Sequence, residues 1–225
     1  MLRMRNVRVT LGGFAVLRDV DLALAPGRTT LLVGRNGAGK TTTLRAIMGL
    51  LPIAAGELAF GDTDLRRAKP RERAALGIGY APEDRRLIPD FTVEDNLLLP
   101  AVALRLDAAA RRERLEGVYA LLPELHALRT RLGGHLSGGQ GKMVALGRAL
   151  MAGTRLVLLD EPFQGLAPAL ARSYAETLAR IRSERRDLTL LVTESSPQLL
   201  EGLVDAALQI ERGHIAEADL ASLRH

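Results

Sequence analysis

A chain of 225 residues, 47% hydrophobic and 25% charged, can bury the core of one large α/β domain or of two small ones. It has no cysteine and no tryptophan, which excludes disulfides and thiolate metal sites and leaves the core to Leu, Val, Ile and Ala. The net charge of +5 rests almost wholly on arginine, with lysine only at Lys40, Lys69 and Lys142; an anionic partner would suit that balance, and solvated helix faces explain it as well.

No stretch approaches the ~18 apolar residues of a membrane span, and the N-terminus lacks the apolar run of a signal peptide. The expectation is a soluble chain whose membrane role, if any, comes through a partner. Val7 and Val9 alternate with polar residues, as do Val20, Leu22 and Leu24, predicting strands before a turn at Pro26-Gly27. Arg28 to Val33 reads as a buried strand. A helix is expected from about Thr41 to Leu50, then an edge strand over Glu57–Phe60 and a short strand over Gly77–Ala81.

Residues 92 to about 130 read as mostly helical, with Asp107 as a cap and Leu115, Val118, Tyr119 and Leu122 at helical spacing. Arg155–Asp160 is an apolar strand. Pro168 opens a helix predicted to bury Leu170, Tyr174, Leu178 and Ile181 on one face. Leu188–Val192 is a further buried strand, and a hairpin turns at Arg212-Gly213. No internal repeat or flexible linker is visible. The fold class expected is α/β, with a mainly parallel sheet, an antiparallel N-terminal part and a helical insert at about 84–135, all within one domain spanning 1–225.

Three motifs carry chemistry. Gly34-Arg35-Asn36-Gly37-Ala38-Gly39-Lys40-Thr41 matches the phosphate-binding loop at every fixed position, between an apolar strand and a helix start. Its glycines let backbone amides approach an anion, and the helix that follows turns its positive end toward it. Lys40 is expected to reach the β- and γ-phosphates of a nucleoside triphosphate and the Thr41 hydroxyl to ligate Mg²⁺. The second motif is the run Leu156–Pro162, an apolar strand ending in Asp160 and Glu161. Strand alternation would send these acids to opposite faces, Asp160 to Mg²⁺ and Glu161 to the attacking water as general base. By itself such a pair is equally a strand-end cap or a surface feature; the upstream phosphate loop shifts the reading. The third is Leu136-Ser137-Gly138-Gly139-Gln140, where a hydroxyl, glycine amides and a helix start form a second anion cradle, or simply a glycine turn that caps a helix.

In that order, Gly34–Thr42, Leu136–Gln140 and Leu156–Pro162 resemble the ATP-binding-cassette (ABC) ATPases over nearly the whole chain. Gly77–Glu83 with Arg85-Arg86, Thr92–Leu97 and Gly165-Leu166-Ala167-Pro168 are most similar to the ATPase subunits of branched-chain amino-acid importers. The resemblance implies that ATP, gripped by residues 34–42 (Thr42 included) of one chain, is closed over by Ser137, Gly138, Gly139 and Gln140 of a second ABC subunit. It implies Glu83 as the sensor of Mg²⁺ and the attacking water, and a helical insert that docks an integral-membrane permease fed by a periplasmic binding protein. It places the chain in the cytoplasm, peripheral on the inner face of the cell membrane, with no nucleic-acid partner.

The chain departs from the family pattern in places. The adenine-stacking aromatic falls at Leu11, with Phe14 nearby, and Phe14 is as readily a core residue. The switch histidine is replaced within Thr193-Glu194-Ser195, where a Glu194 facing the γ-phosphate would repel it. Gly141 and Ala167 stand where Gln and Asp are commoner. Urea or short-amide import, a non-transport ABC ATPase and a small-molecule kinase are the competing functions; the second cradle argues against the kinase.

Overall fold

The computed structural model describes residues 1–196 and 198–219. Two long strands, β1 (Leu2–Leu11) and β2 (Phe14–Leu24), precede β3 (Thr29–Val33) and the helix α1 (Lys40–Ile47). β4 (Ala55–Phe60), β5 (Thr63–Asp64), α2 (Pro70–Ala75) and β6 (Ile78–Ala81) follow. Next come the helices α3 (Val93–Ala103), α4 (Ala108–Leu121), α5 (Pro123–Ala127) and α6 (Gly138–Ala152). β7 (Leu156–Asp160), α7 (Pro168–Glu184), β8 (Thr189–Glu194), β9 (Ala206–Glu211) and β10 (His214–Ala218) complete the described chain.

β2, β1, β4 and β5 form an antiparallel sheet in that order. The second sheet runs β10-β9-β3-β8-β7-β6 and is parallel except at the β9–β10 hairpin. Its central strands read as continuous apolar runs because both faces are covered. Leu31, Val33, Val157, Leu159, Leu190 and Val192 face a core shared with α3, α4, α6 and α7. Leu32, Leu156, Leu158 and Leu191 face the other way, toward α1 and the antiparallel sheet. Each such leucine removed from water contributes about 1.5–3 kcal/mol.

Local signals account for most boundaries. Asp107 accepts from Ala110 N at 2.8 Å and so caps α4. Thr92 caps α3 in a reciprocal arrangement with Asp95. Pro168 occupies the first turn of α7, where its missing N–H costs nothing. The far end of α1 has an unexpected partner. Arg73, only 4% exposed, donates to Ala46 O (2.7 Å), Ile47 O (2.8 Å), Ala68 O (2.9 Å) and Leu65 O. It thereby satisfies carbonyls that the helix end leaves open.

Four expectations need correction. The strand over Glu57–Phe60 is not an edge, because β4 lies between β1 and β5. α1 ends at Ile47, three residues early, because Gly49 adopts a left-handed φ of +72°. Leu170 is 47% exposed, and the buried face of α7 is Ala171, Tyr174, Leu178 and Ile181. Phe14 is 78% exposed at the start of β2 and belongs to no core.

Candidate active site

β3 delivers the chain to the phosphate loop at the carboxyl edge of the parallel sheet, where open α/β sheets place their ligands. The loop lies so close to β9 that a Cβ at Gly34 would come within 2.5 Å of the Ile210 carbonyl. Gly39 takes φ +117° to start α1 and supplies no side-chain cap. The first amides of the helix are thus left to face an anion.

Lys40, 3% exposed, donates to Gly34 O (2.5 Å), Arg35 O (3.2 Å) and the Ser195 hydroxyl (3.0 Å). It also pairs with Glu161 Oε1 at 3.0 Å. Ser195 passes the contact on, donating to Asn36 Oδ1 at 2.9 Å. Asp160, 2% exposed, accepts from Thr41 Oγ1, Thr193 Oγ1 and Tyr80 OH, each at 3.0 Å. Burial pushes its carboxyl above the usual range, and the three hydroxyls pull it back.

Glu161 does not continue the strand. It lies past the end of β7 with φ +44°, a left-handed conformation that costs a non-glycine residue about 1–2 kcal/mol. The two acids are separated by this turn and not by strand alternation, which corrects the sequence expectation. Glu161 is held at each of its polar atoms. Glu161 N donates to Thr193 O (3.1 Å) and Thr193 Oγ1 (3.2 Å), and Glu161 O accepts from Lys142 Nζ (2.7 Å) and Gln164 N (3.2 Å). The Gln164 amide, nitrogen toward the acids, donates to Glu161 Oε2 (2.7 Å) and Glu83 Oε1 (2.8 Å). Asn36, Gly37, Gly39, Lys40, Thr41, Thr42, Glu83, Glu161 and Gln164, with Val16, line one cavity of about 290 Å³.

Glu194 turns away from the phosphate loop. It is 5% exposed, its Oε1 accepts from Phe163 N at 2.9 Å, and it does not line the phosphate-loop cavity. Burial raises its carboxyl to about 7, with Glu161 adding to the shift and Lys142 opposing it. Leu11 and Phe14 do not line the cavity; Val16 does.

The second cradle stands apart. Ser137 Oγ accepts from Gln140 N (3.3 Å) and Gln140 Oε1 accepts from Ser137 N (3.0 Å), a capping box at the start of α6. Ser137 and Gly138 are exposed, and Gly139 and Gln140 line a separate cavity of about 350 Å³ with Leu166 and Leu170. Within one chain the structure brings together Lys40, Thr41, Asp160, Glu161 and Glu83, and it leaves residues 137–140 outside.

Among the described residues no cluster of three or more His, Cys, Asp or Glu side chains is arranged to hold a metal. The oxygens of Thr41 and Asp160 fit Mg²⁺ all the same, because that ion takes one or two protein ligands and completes its shell with phosphate and water. Sequence reasoning placed Ser195 and Thr193 where the switch histidine is replaced without giving them a role, and it missed Gln164, Tyr80 and Lys142. The first two had one usable signal: they sit at the carboxyl end of a buried strand that neighbours β3.

The family model described as "ABC transporter" matches residues 17–164. A probable branched-chain amino acid transport ATP-binding protein LivF of Archaeoglobus fulgidus is 31% identical over 215 residues, covering 95% of this chain and 90% of that protein. The lipopolysaccharide export system ATP-binding protein LptB of Escherichia coli is 32% identical over 213 residues, 94% of this chain and 87% of that one. A nucleotide-free ATP-binding cassette from an ABC transporter superposes with a TM-score of 0.82 at 28% identity, over 97% of this chain and 90% of that one.

Proposed function

Because this chain belongs to the ABC transporter family of ATP-binding cassettes, we propose that it powers import of branched-chain amino acids or similar small solutes through a membrane permease. Its activity is ATP hydrolysis. The observation that carries the mechanism is the convergence of Lys40, Thr41, Asp160, Glu161 and Glu83 around the phosphate loop.

An arriving triphosphate competes with Glu161 for Lys40. The ammonium exchanges a carboxylate and two carbonyls for the β- and γ-phosphates, and Glu161 Oε1 is released to accept a proton from the attacking water. Thr41 and Asp160 would hold Mg²⁺, which when bound would offset the negative charge of the phosphate groups. Glu83 and Gln164 orient the water, because Gln164 already spans the two carboxylates. Ser137–Gln140 lie outside this cavity, so they are assigned to the nucleotide of a second cassette, which gives a dimer with two sandwiched ATP molecules. Residues 1–225 form a single cassette, and the helices of the 84–135 region contact the permease. Among the described residues no helix is long and apolar enough to cross a membrane; the peripheral place on the cytoplasmic face goes with the permease reading.

The solute assignment rests on the LivF relative and on Gly77–Glu83 and Gly165–Pro168; the LptB relative favours a second reading, lipopolysaccharide export. Co-purification with native membrane partners, followed by uptake assays in vesicles, separates the two. ATP-dependent uptake of a branched-chain amino acid supports the first reading. Extraction of a lipid without uptake overturns it.

A further inference from the structure

In the sandwich proposed above, one chain serves two nucleotides: Ser137–Gln140 touch one, and Glu161 activates water for the other. The Lys142 side chain joins these two regions. Lys142 lies two residues past the cradle, in the N-terminal part of α6, and its ammonium donates to the Glu161 carbonyl at 2.7 Å. It is half-buried, and burial lowers its pKa while Glu194, Glu83 and Glu161 oppose that shift.

The turn it grips is already under backbone strain at Glu161, and on its far side Phe163 N is held by the buried Glu194. The turn is therefore pinned between α6 and the end of β8. The same part of α6 is also packed against the segment after Glu83: a Cβ on Gly141 would lie 3.1 Å from the Arg85 side chain. A shift of the cradle cannot leave the Glu161 turn where it was, because close-packed elements transmit small displacements.

We infer that Lys142 is a positioning residue that couples the two ATP sites: closure of the cradle on one nucleotide sets, through α6 and the Glu161 carbonyl, the carboxylate that hydrolyses the other. The inference rests on the sandwich reading of the previous subsection. Because Lys142 acts on the general base and not on the phosphate grip, it governs kcat and cooperativity more than nucleotide affinity.

The test uses the full chain with MgATP and the variants Lys142→Met, Lys142→Gln and Lys142→Arg. Four quantities are measured: kcat, KM, the Hill coefficient for ATP, and ATP-dependent dimerisation by light scattering. The expected result for Met and Gln is a kcat about 10- to 100-fold lower, the size of effect a misplaced catalytic group gives. The Hill coefficient should fall from near 2 toward about 1, with KM and dimerisation little changed. Arg should restore both kcat and the Hill coefficient. The Gln variant carries the test should the Met variant fail to fold. Unchanged kcat and Hill coefficient in a folded Met or Gln variant, or no rescue by Arg, overturns the inference. A wild-type chain that hydrolyses ATP yet neither dimerises with it nor shows cooperativity overturns the sandwich itself, and that result is separable from the first.

Discussion

The loop from Gly34 to Thr42 is one contiguous stretch, shaped by its own glycines and by the close passage of β9. The turn at Glu161 is built differently: its partners come from α1, α6, β8 and the residues just after it. The first region offers an anion backbone amides, which every residue type but proline carries. The second aims one carboxylate through side chains drawn from distant parts of the chain. A contiguous loop takes most of its shape from its own residues, whereas a turn assembled from distant side chains inherits the motions of every element that touches it.

The difference can be broken by substitution, and the largest effect belongs to the turn. Glu161→Gln should lower kcat by about 10²–10⁴-fold, the usual contribution of a general base, and accumulate an ATP-bound dimer. Parent-rate hydrolysis by this variant would remove Glu161 from the mechanism.

A second effect tests how the turn is pinned. The Glu194 carboxyl titrates near 7 in the fold against an ordinary 4.5, so the folded protein binds its proton more tightly than the unfolded chain. Stability from this group is complete below about pH 4.5 and is lost as pH rises toward 7. Glu194→Gln keeps an acceptor for Phe163 N and removes that loss. At pH 8 it should be more stable than the parent by about 2–3 kcal/mol, with the gain vanishing near pH 4.5. Denaturant titrations at the two pH values measure it, and a gain independent of pH would contradict the assignment.

On the loop side, Lys40→Ala should weaken ATP binding by about 10- to 100-fold, as expected for a lost charge-assisted contact of about 1.5–3 kcal/mol. Fluorescent-nucleotide titration reads this directly, and unchanged affinity would count against the lysine. The smallest effect sharpens the boundary between the regions. Ser195→Ala removes the hydroxyl between Lys40 and Asn36 and should cost about 1 kcal/mol, a fivefold loss in ATP affinity with kcat nearly unchanged. A loss in kcat instead would place Ser195 with the turn.

The same contrast explains what the sequence disclosed. The phosphate loop was legible because its chemistry is local: glycine spacing, one lysine and one threonine specify it. Asp160 and Glu161 were legible as a pair, but their separation was assigned to strand alternation, since a positive φ at a glutamate leaves no mark in the text. Thr193, Ser195, Gln164 and Lys142 are common polar residues whose meaning comes from their neighbours in the fold: Lys142 meets Glu161 across 19 positions and Ser195 meets Asn36 across 159. Phe14 and Leu170 misled for a related reason: apolar type and helical spacing predict burial only when another element arrives to cover the side chain.

Arg73 extends the reach of the loop beyond its own residues. The helix that presents the loop's amides is eight residues long, about 12 Å, well below the length at which an isolated helix persists in water. By clasping its last carbonyls, Arg73 keeps both turns wound, so the grip on phosphate depends on a guanidinium at the opposite tip. A lesion at that buried arginine is therefore expected to surface as weakened nucleotide retention, although Arg73 sits at the end of α1 opposite the loop.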